Sequence, residues 1–391
     1  MILNYKYRLY PNITQKNLLD QQFFAANQSW NYTLRLKIKD ISVKKGFTTR
    51  KMIELYVRKQ LKIRGITANS GIIQNSIINM EKTFIRYFLM KKKDQEVGFP
   101  DFKISSNTKQ SFEFKPQGIQ ITEKYFKIMR MKIKWKYHRK LPSKPKKIIV
   151  KREADGNYYV IFSVEVEKKN LPKTKQSCGI DLNVENIAIA TSKGKVYLKT
   201  IKKLDKYSKK FKKLEKKLSR RYEKCKKTKT RASKNTKNLQ KKQNKIHKKV
   251  RNIKEDFFHK ISKEIVKNFD HIRVEKLEVK EMKEKAPSKR LRRDIAEVSW
   301  NSLIEKLKYK SKKYGRVFEE INPAYTSQRC NICGFISKRN RTSQSIFHCK
   351  KCGHKDNADY NAARNILEYE QWFLEQKTRW ASRHAESSIT F

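Results

Sequence analysis

The chain opens with a short alternation of polar and apolar residues, LNYKYRLYP, that reaches Pro11, and this predicts a strand closed by a turn. From Thr14 to Met90 apolar residues recur at spacings of three and four, as in Leu18, Phe23, Trp30 and Leu34 and later Ile73, Ile77, Met80 and Phe84. With few glycines or prolines to interrupt it, that period predicts a helical bundle. Between Phe99 and Glu167 the period falls to two. FPDFK, SFEFK, GIQIT, YFKIM, KIIVKRE and YYVIFSVEVE are short alternating or β-branched runs, separated by turn residues such as Asp155, Gly156 and Asn157. They predict a small β-barrel or sheet that also takes in the first strand.

After a polar linker, KKNLPKTKQS, the segment CGIDLNVENIAIATSKGKVYLKT carries two apolar runs around Ser192 to Gly194, predicting a hairpin that opens a new domain. Two long helices joined by TKTRASKNTKN follow, with apolar positions at Tyr207, Phe211, Leu214 and Leu218 and at Ile246, Val250, Ile253, Phe257 and Ile261. HIRVEKL reads as a strand, followed by a charged loop. SWNSLIEKLKYKSKKYG reads as a helix capped at Gly315, VFEEINP as a further strand and NAARNILEY as a last helix. Strands alternating with helices predict an α/β domain with partly parallel pairing. The sequence shows no internal repeat.

Charge changes the picture most. The chain has 96 Lys+Arg against 37 Asp+Glu, a formal net charge of +59 in 391 residues. A fold so charged repels itself unless a polyanion neutralises it, which points to nucleic acid. A membrane surface is the competing polyanion, but no apolar stretch approaches a spanning length and the start lacks a signal-peptide core, so the expectation is a cytoplasmic, nucleoid-associated chain of a prokaryotic cell. The lysine-rich helices between Ile201 and Asn268 are read as a nucleic-acid track, the alternative being a solvated helix face.

Of six cysteines, Cys330, Cys333, Cys349 and Cys352 form two CxxC pairs with a fifteen-residue spacer, the spacing of a closed tetrahedral zinc site on two turns. Four thiolates leave no open position, so this Zn²⁺ is read as structural, pinning the loop that precedes the last helix. His348 and His354 flank the second pair as surface residues or as groups supporting the ligands. Cys178 and Cys225 are read as inert.

Three acids sit where the α/β elements would converge: Asp181 inside CGIDLNV, Glu275 at the end of HIRVEKL, and Asp359 at the start of DYNAARNIL. A buried aspartate is costly unless it has a cation or donors. Two divalent ions held ~3.5–4 Å apart by shared carboxylates hydrolyse phosphodiesters. Taken singly, Asp181 caps a turn, Glu275 pairs with a lysine and Asp359 serves as an N-terminal helix acid beside Asp356 equally well, and their spacing does not decide the matter.

GIDLNVENIAIAT, RVEKLEVKEM and DYNAARNIL resemble the three RuvC-type segments of the TnpB family, transposon-encoded RNA-guided DNA endonucleases related to the miniature type V CRISPR effectors. KYRLYPN resembles the family's N-terminus and SWNSLIEKLKYKSKKYGRVFEEINPAYTSQRCNICG its C-terminal half, so the likeness covers nearly the whole chain. It implies a multi-domain α/β fold: a wedge-like β-barrel (1–12 and 96–172) with an inserted helical recognition bundle (13–95), then an RNase H-like RuvC nuclease domain (177–325 and 354–370) interrupted by a zinc ribbon (326–353), and a tail (371–391).

The resemblance also implies catalytic, Mg²⁺-binding roles for Asp181, Glu275 and Asp359, with Asp356 the weaker motif match for the third acid. Asn183, Glu185 and Asn186 depart from the glycine or lysine of many relatives without removing a ligand. The implied partners are a guide RNA from the transposon end and double-stranded DNA beside a short adjacent motif, and the implied role is retention of the mobile element. Gln74 and Asn75 are candidate base contacts, since amide side chains pair with adenine; each is equally an exposed polar helix residue. Rival readings are a transposase acting by strand transfer and an RNA-guided regulator that binds without cutting; the intact acid triad weighs against the second.

Overall fold

The computed structural model describes the chain except for positions 44–47, 94, 105–108, 117, 184, 185, 201–204, 289–291, 293–298, 370, 371 and 373–391; for 205, 206, 208, 280 and 283 it describes the backbone alone. Glu185, part of the charged loop and the C-terminal tail apart from Trp372 therefore lie outside the described residues. The chain divides into two compact units, 1–166 with 233–245, and 167–232 with 246–391.

In the first unit β1 (Ile2–Tyr10) runs into α1 (Ile13–Ser42), α2 (Arg50–Ile63) and α3 (Ser70–Lys91). The strand stops where Pro11 removes a donor, and Asn12 starts the helix with a reciprocal capping box: its Oδ1 accepts the Gln15 amide at 2.8 Å while its own amide donates to Gln15 Oε1 at 3.1 Å. Six further strands follow: β2 (Gln110–Phe114), β3 (Gln120–Ile121), β4 (Tyr125–Ile128), β5 (Met131–Trp135), β6 (Pro145–Arg152) and β7 (Tyr158–Glu165). They form one antiparallel sheet ordered β2-β6-β7-β1-β5-β4-β3, with β1 paired to β7 from Ile2↔Glu165 to Leu9↔Tyr158. The first strand thus sits inside the sheet, as its alternation predicts. Phe112 and Phe114 of one end strand, and Phe126 and Ile128 near the other end, share one core with Tyr7, Leu9 and Phe162. The helices bury Ile53, Val57, Leu61, Ile73 and Ile77 among themselves.

Two expectations change here. FPDFK is not a strand: Pro100 lacks an N–H for a ladder, and the backbone of Asp101 and Lys103 is taken by Trp30 Nε1 (3.0 Å) and the Asn31 side chain (2.9 and 2.7 Å). YFKIM is a strand that ends one residue early, at Ile128, because Met129 and Arg130 adopt φ of 47° and 64° and turn β4 into β5 through a two-residue loop with Ile128 opposite Met131.

In the second unit β8 (Ser177–Leu182), β9 (Ile187–Thr191) and β10 (Val196–Lys199) precede α4 (Asp205–Lys227) and α5 (Lys234–Asn268), whose residues 234–245 are assigned to the first unit. Then come β11 (His271–Glu275), α6 (Val279–Lys285), α7 (Trp300–Tyr314), β12 (Val317–Ile321), the short pair β13 (Ile346–His348) and β14 (Lys355–Asn357), and α8 (Ala358–Leu367). The sheet order is β10-β9-β8-β11-β12, with β8, β9 and β10 antiparallel and β11 parallel to both β8 and β12. The single expected hairpin is a three-stranded meander: besides the turn at Ser192 to Gly194, the chain turns between Leu182 and Ile187, where Asn183 donates its amide to Asn186 O at 3.1 Å. Gly315 caps α7 in the left-handed conformation (φ 68°), as predicted. Ile180, Ile189, Ile265, Ile272, Val274, Leu303 and Leu307 form this unit's core. The fold class is mixed α/β.

Candidate carboxylate and thiolate centres

The parallel pairing of β8 and β11 sets Val274 opposite Ile180. One residue further along each strand stand Asp181 and Glu275, so the register delivers two acids side by side at the strands' C-terminal ends. The third acid comes from α8, which lies on β8 because position 179 has no side chain. A Cβ built on Gly179 would stand 2.4 Å from the Ala363 carbonyl and 2.3 Å from the Leu367 amide. Asn357 starts α8 by accepting the amides of Asp359 (2.9 Å) and Tyr360 (3.3 Å), which places Asp359 in the first turn. Asp181 and Asp359 are each 9 % exposed, too little for water alone to solvate two charges.

Electrostatics record the convergence. Burial, and then the neighbouring Glu275 carboxylate, push Asp181 up to about 7, with Asp359 adding to the rise; the Asn183 amide and Arg341 act against it. Burial likewise raises Glu275, opposed by its bond from Thr326 and by Arg341.

Four side chains around these acids lay outside the sequence-based assignments of role. Asn183 Nδ2 donates to Asp181 Oδ2 at 2.9 Å, and Asn186 Nδ2 to Asp359 Oδ2 at 3.3 Å. The Thr326 hydroxyl donates to Glu275 Oε1, and Arg341 Nη2 stands 4.0 Å from Asp359 Oδ1. The two asparagines were visible as departures from the family pattern. Nothing in spacing separates Arg341 from Lys338 and Arg339 beside it. Asp356 is engaged elsewhere: it pairs with Arg364 and lies 3.8 Å from His354 Nε2.

The cysteines form the second centre. Their sulfurs all lie within 4.8 Å of one another, with Cys330 3.8 Å from Cys352 and Cys333 3.5 Å from Cys349. Each CxxC is folded by the glycine that follows it: Gly334 and Gly353 both take φ of 72° and donate their amides back to Cys330 and Cys349 carbonyls at 2.9 and 3.1 Å. Burial pushes the Cys330 thiol up to about 12. Cys349, also raised by burial, is brought down to about 7 by the amides of Cys352 and Lys351 and by neighbouring thiols. Four convergent thiols suit Zn²⁺, whereas an all-oxygen carboxylate set suits a hard cation such as Mg²⁺. His348 is partly buried on β13, and His354 Nε2 is buried. Cys178, in β8, is buried and its thiol raised, in keeping with inertness.

In the first unit, Gln74 Nε2 donates to Glu54 Oε1 at 3.0 Å and Asn75 Nδ2 to the Glu113 carbonyl at 3.4 Å. Both lie in the first unit, whereas the acids and the cysteines belong to the second. Among the described residues no helix is long and apolar enough to cross a membrane.

Residues 161–286 match the OrfB_IS605 family, described as a probable transposase; residues 1–45 match its helix-turn-helix domain, and residues 300–366 the TNB domain of Cas12f1-like proteins. The described part of 1–45 is one strand and one helix. InsQ of Escherichia coli (strain K12), named as a candidate RNA-guided DNA endonuclease, is 30% identical over 311 residues, covering 75% of this chain and 73% of InsQ. A TnpB-like protein of Acanthamoeba polyphaga mimivirus is 27% identical over 394 residues, covering 93% of this chain and 72% of its own length. A Cas12f1 chain solved in complex with sgRNA and target DNA shares the fold at a TM-score of 0.56 and 16% identity, over 90% of this chain and 82% of that one. With a relative matched over most of both sequences, the chain belongs to the TnpB family.

Proposed function

We propose that this protein is an RNA-guided DNA endonuclease of a transposable element, which cuts double-stranded DNA beside a short adjacent motif by Mg²⁺-dependent, two-metal phosphodiester hydrolysis. The observation that carries the reading is the convergence of Asp181, Glu275 and Asp359, with the Asp181 carboxyl raised to about 7 by burial and like charge. Acids brought from two strand ends and a helix start toward one place are what a divalent-cation site requires. Asp181, Glu275 and Asp359 would hold Mg²⁺, which when bound would activate water for attack and offset charge on the leaving oxygen. The chain's own part is to hold the three carboxylates: Asn183 and Asn186 orient the aspartates, Thr326 orients Glu275, and Arg341 offsets charge beside Asp359.

In this reading the first unit combines a wedge-like barrel (1–12 and 96–172) and a helical recognition bundle (13–95), consistent with end strands sharing one core. The second is a RuvC-like domain (177–325 and 354–370) with the zinc ribbon (326–353) inserted, Zn²⁺ on Cys330, Cys333, Cys349 and Cys352, and the tail (371–391) beyond. Exposed Lys212, Lys213, Lys216 and Lys217 on α4 offer phosphate contacts to guide RNA and DNA without reading sequence. Gln74 and Asn75 contact bases of the adjacent motif, exchanging their bonds to Glu54 and Glu113 on binding. Retention of the mobile element is the biological outcome, and the cytoplasm the place.

The test is purification from cells carrying the native locus, sequencing of the co-purifying RNA, and incubation with matching duplex DNA and Mg²⁺. A discrete bound RNA and cutting that follows its sequence are expected. Cutting without RNA, or joining of DNA ends, overturns the reading in favour of a transposase; guided binding without cutting favours a regulator.

A further inference from the structure

The cysteine knuckle and the carboxylate centre are joined through one buried residue. Thr326, 2 % exposed, lies four residues before Cys330, and its hydroxyl donates to Glu275 Oε1 on β11. The same oxygen lies 2.9 Å from the Pro323 carbonyl. A hydroxyl has one hydrogen, so it serves one acceptor at a time, and an ionised carboxylate is the stronger.

The backbone of this segment is clamped to α8, the helix that carries Asp359. Asn365 Nδ2 donates to the Thr326 carbonyl at 2.8 Å and to the Arg329 carbonyl at 2.7 Å, while Asn365 Oδ1 accepts from Arg329 Nη1 at 2.9 Å. Asn361, two residues after Asp359, donates to the Arg329 carbonyl at 2.8 Å and accepts the Asn331 amide at 3.0 Å. Both asparagines are fully buried. Satisfied buried amides hold backbone in place because an orphaned one costs about 1–3 kcal/mol.

We infer that Thr326 is a positioning residue whose hydroxyl fixes the Glu275 carboxylate, tying the divalent-cation affinity of the carboxylate centre to the knuckle held by the four cysteines. The inference rests on the reading of Asp181, Glu275 and Asp359 as cation ligands. With one oxygen held by Thr326, the plane in which the carboxylate presents its other oxygen is set by a segment that is itself fastened to the helix of Asp359. Two of the three acids therefore share one frame. A valine at this position keeps the shape and loses the donor; a serine keeps the donor and loses a methyl.

The intact chain with its bound RNA is the material for the test. Mn²⁺ binding is measured by titration calorimetry, zinc content by elemental analysis, and cutting as a function of Mg²⁺ concentration, for Thr326→Val, Thr326→Ser and Asp181→Ala. Thr326→Val is expected to bind Mn²⁺ about tenfold more weakly at unchanged zinc content. Its cutting is expected to recover at high Mg²⁺, with the half-saturating concentration raised rather than the limiting rate lost. Thr326→Ser is expected to match the unaltered chain. Should Thr326→Val lose zinc, Thr326→Ala against Thr326→Ser is read in the same way.

Wild-type Mn²⁺ affinity in the variant without the hydroxyl, or a serine variant as impaired as it, overturns the inference and leaves Thr326 a packing residue. Asp181→Ala separates the two levels. If it also leaves Mn²⁺ binding intact, the carboxylate reading itself falls; if it abolishes binding while Thr326→Val does not weaken it, only the role of Thr326 falls.

Discussion

The molecule's two polar centres are assembled in opposite ways. The four thiols come from one stretch, positions 330–352, and are brought together by two turns that each end in a left-handed glycine. The three carboxylates come from positions 181, 275 and 359 and are neighbours only because β8 and β11 pair in a given register and α8 lies directly on β8. A local centre is built by turn chemistry and survives as long as its own loop folds. A distributed one inherits every error in the packing of the sheet and its helix.

Removal of a ligand from the local centre should have the largest effect on metal content. Cys330→Ser or Cys349→Ser is expected to drop bound zinc from about one ion per chain to near zero, because the binding free energy of such a site is of the order of its folding free energy. Elemental analysis and proteolysis across 326–357 would show it, while the melting of the first unit should be unchanged. A variant that retains zinc would break the contrast.

The packing that assembles the distributed centre should be most sensitive at Gly179, which carries none of its acids. In Gly179→Ala the new methyl would meet the backbone of Ala363 and Leu367, and backbone cannot swing aside as a flexible side chain does. The expected cost is about 1–3 kcal/mol of stability, with zinc retained. Thermal melting and cutting assays should fall together; an unchanged melting point would mean that α8 does not rest on β8 as described.

A pH effect follows from Asp181. Burial, and then the neighbouring Glu275 carboxylate, push its carboxyl up to about 7 from an ordinary 3.8. The folded state therefore holds the proton more tightly than the unfolded one, and stability from this group is full below about 4 and is lost as pH rises through about 7. Metal-free wild type minus Asp181→Asn should show that decline in melting temperature, and Mg²⁺ should bind more weakly below about 7 because it competes with the proton. A difference that is flat in pH would contradict the clustering of the acids. The smallest effect is expected for Asn186→Ala, which removes one 3.3 Å donor from Asp359 and should weaken Mn²⁺ binding by about tenfold or less.

The same contrast explains what could be read from the sequence. CxxC pairs are visible because all four cysteines obey one local spacing. Asp181 and Glu275 could be suspected as acids ending apolar strands, but only likeness to a family joined them with Asp359, because pairing register is not written in either strand alone. The strand periods held where side chains alternate between core and surface, as in β1, β6 and β7. They failed at FPDFK, where Pro100 and the side chains of Trp30 and Asn31 claimed the backbone, a tertiary effect. Thr326 and Arg341 gave no signal, since their significance is a neighbour distant in sequence.

The most direct test of the account is cutting by the RNA-loaded chain, with Mg²⁺, in Asp181→Asn, Glu275→Gln and Asp359→Asn, changes that keep shape and remove charge. Each variant is expected to keep zinc, RNA and DNA binding and to cut at least about a thousandfold more slowly, a loss of about 4 kcal/mol of transition-state stabilisation. Cutting within tenfold of wild type by any of the three would contradict the claim that these carboxylates are the centre of the chemistry.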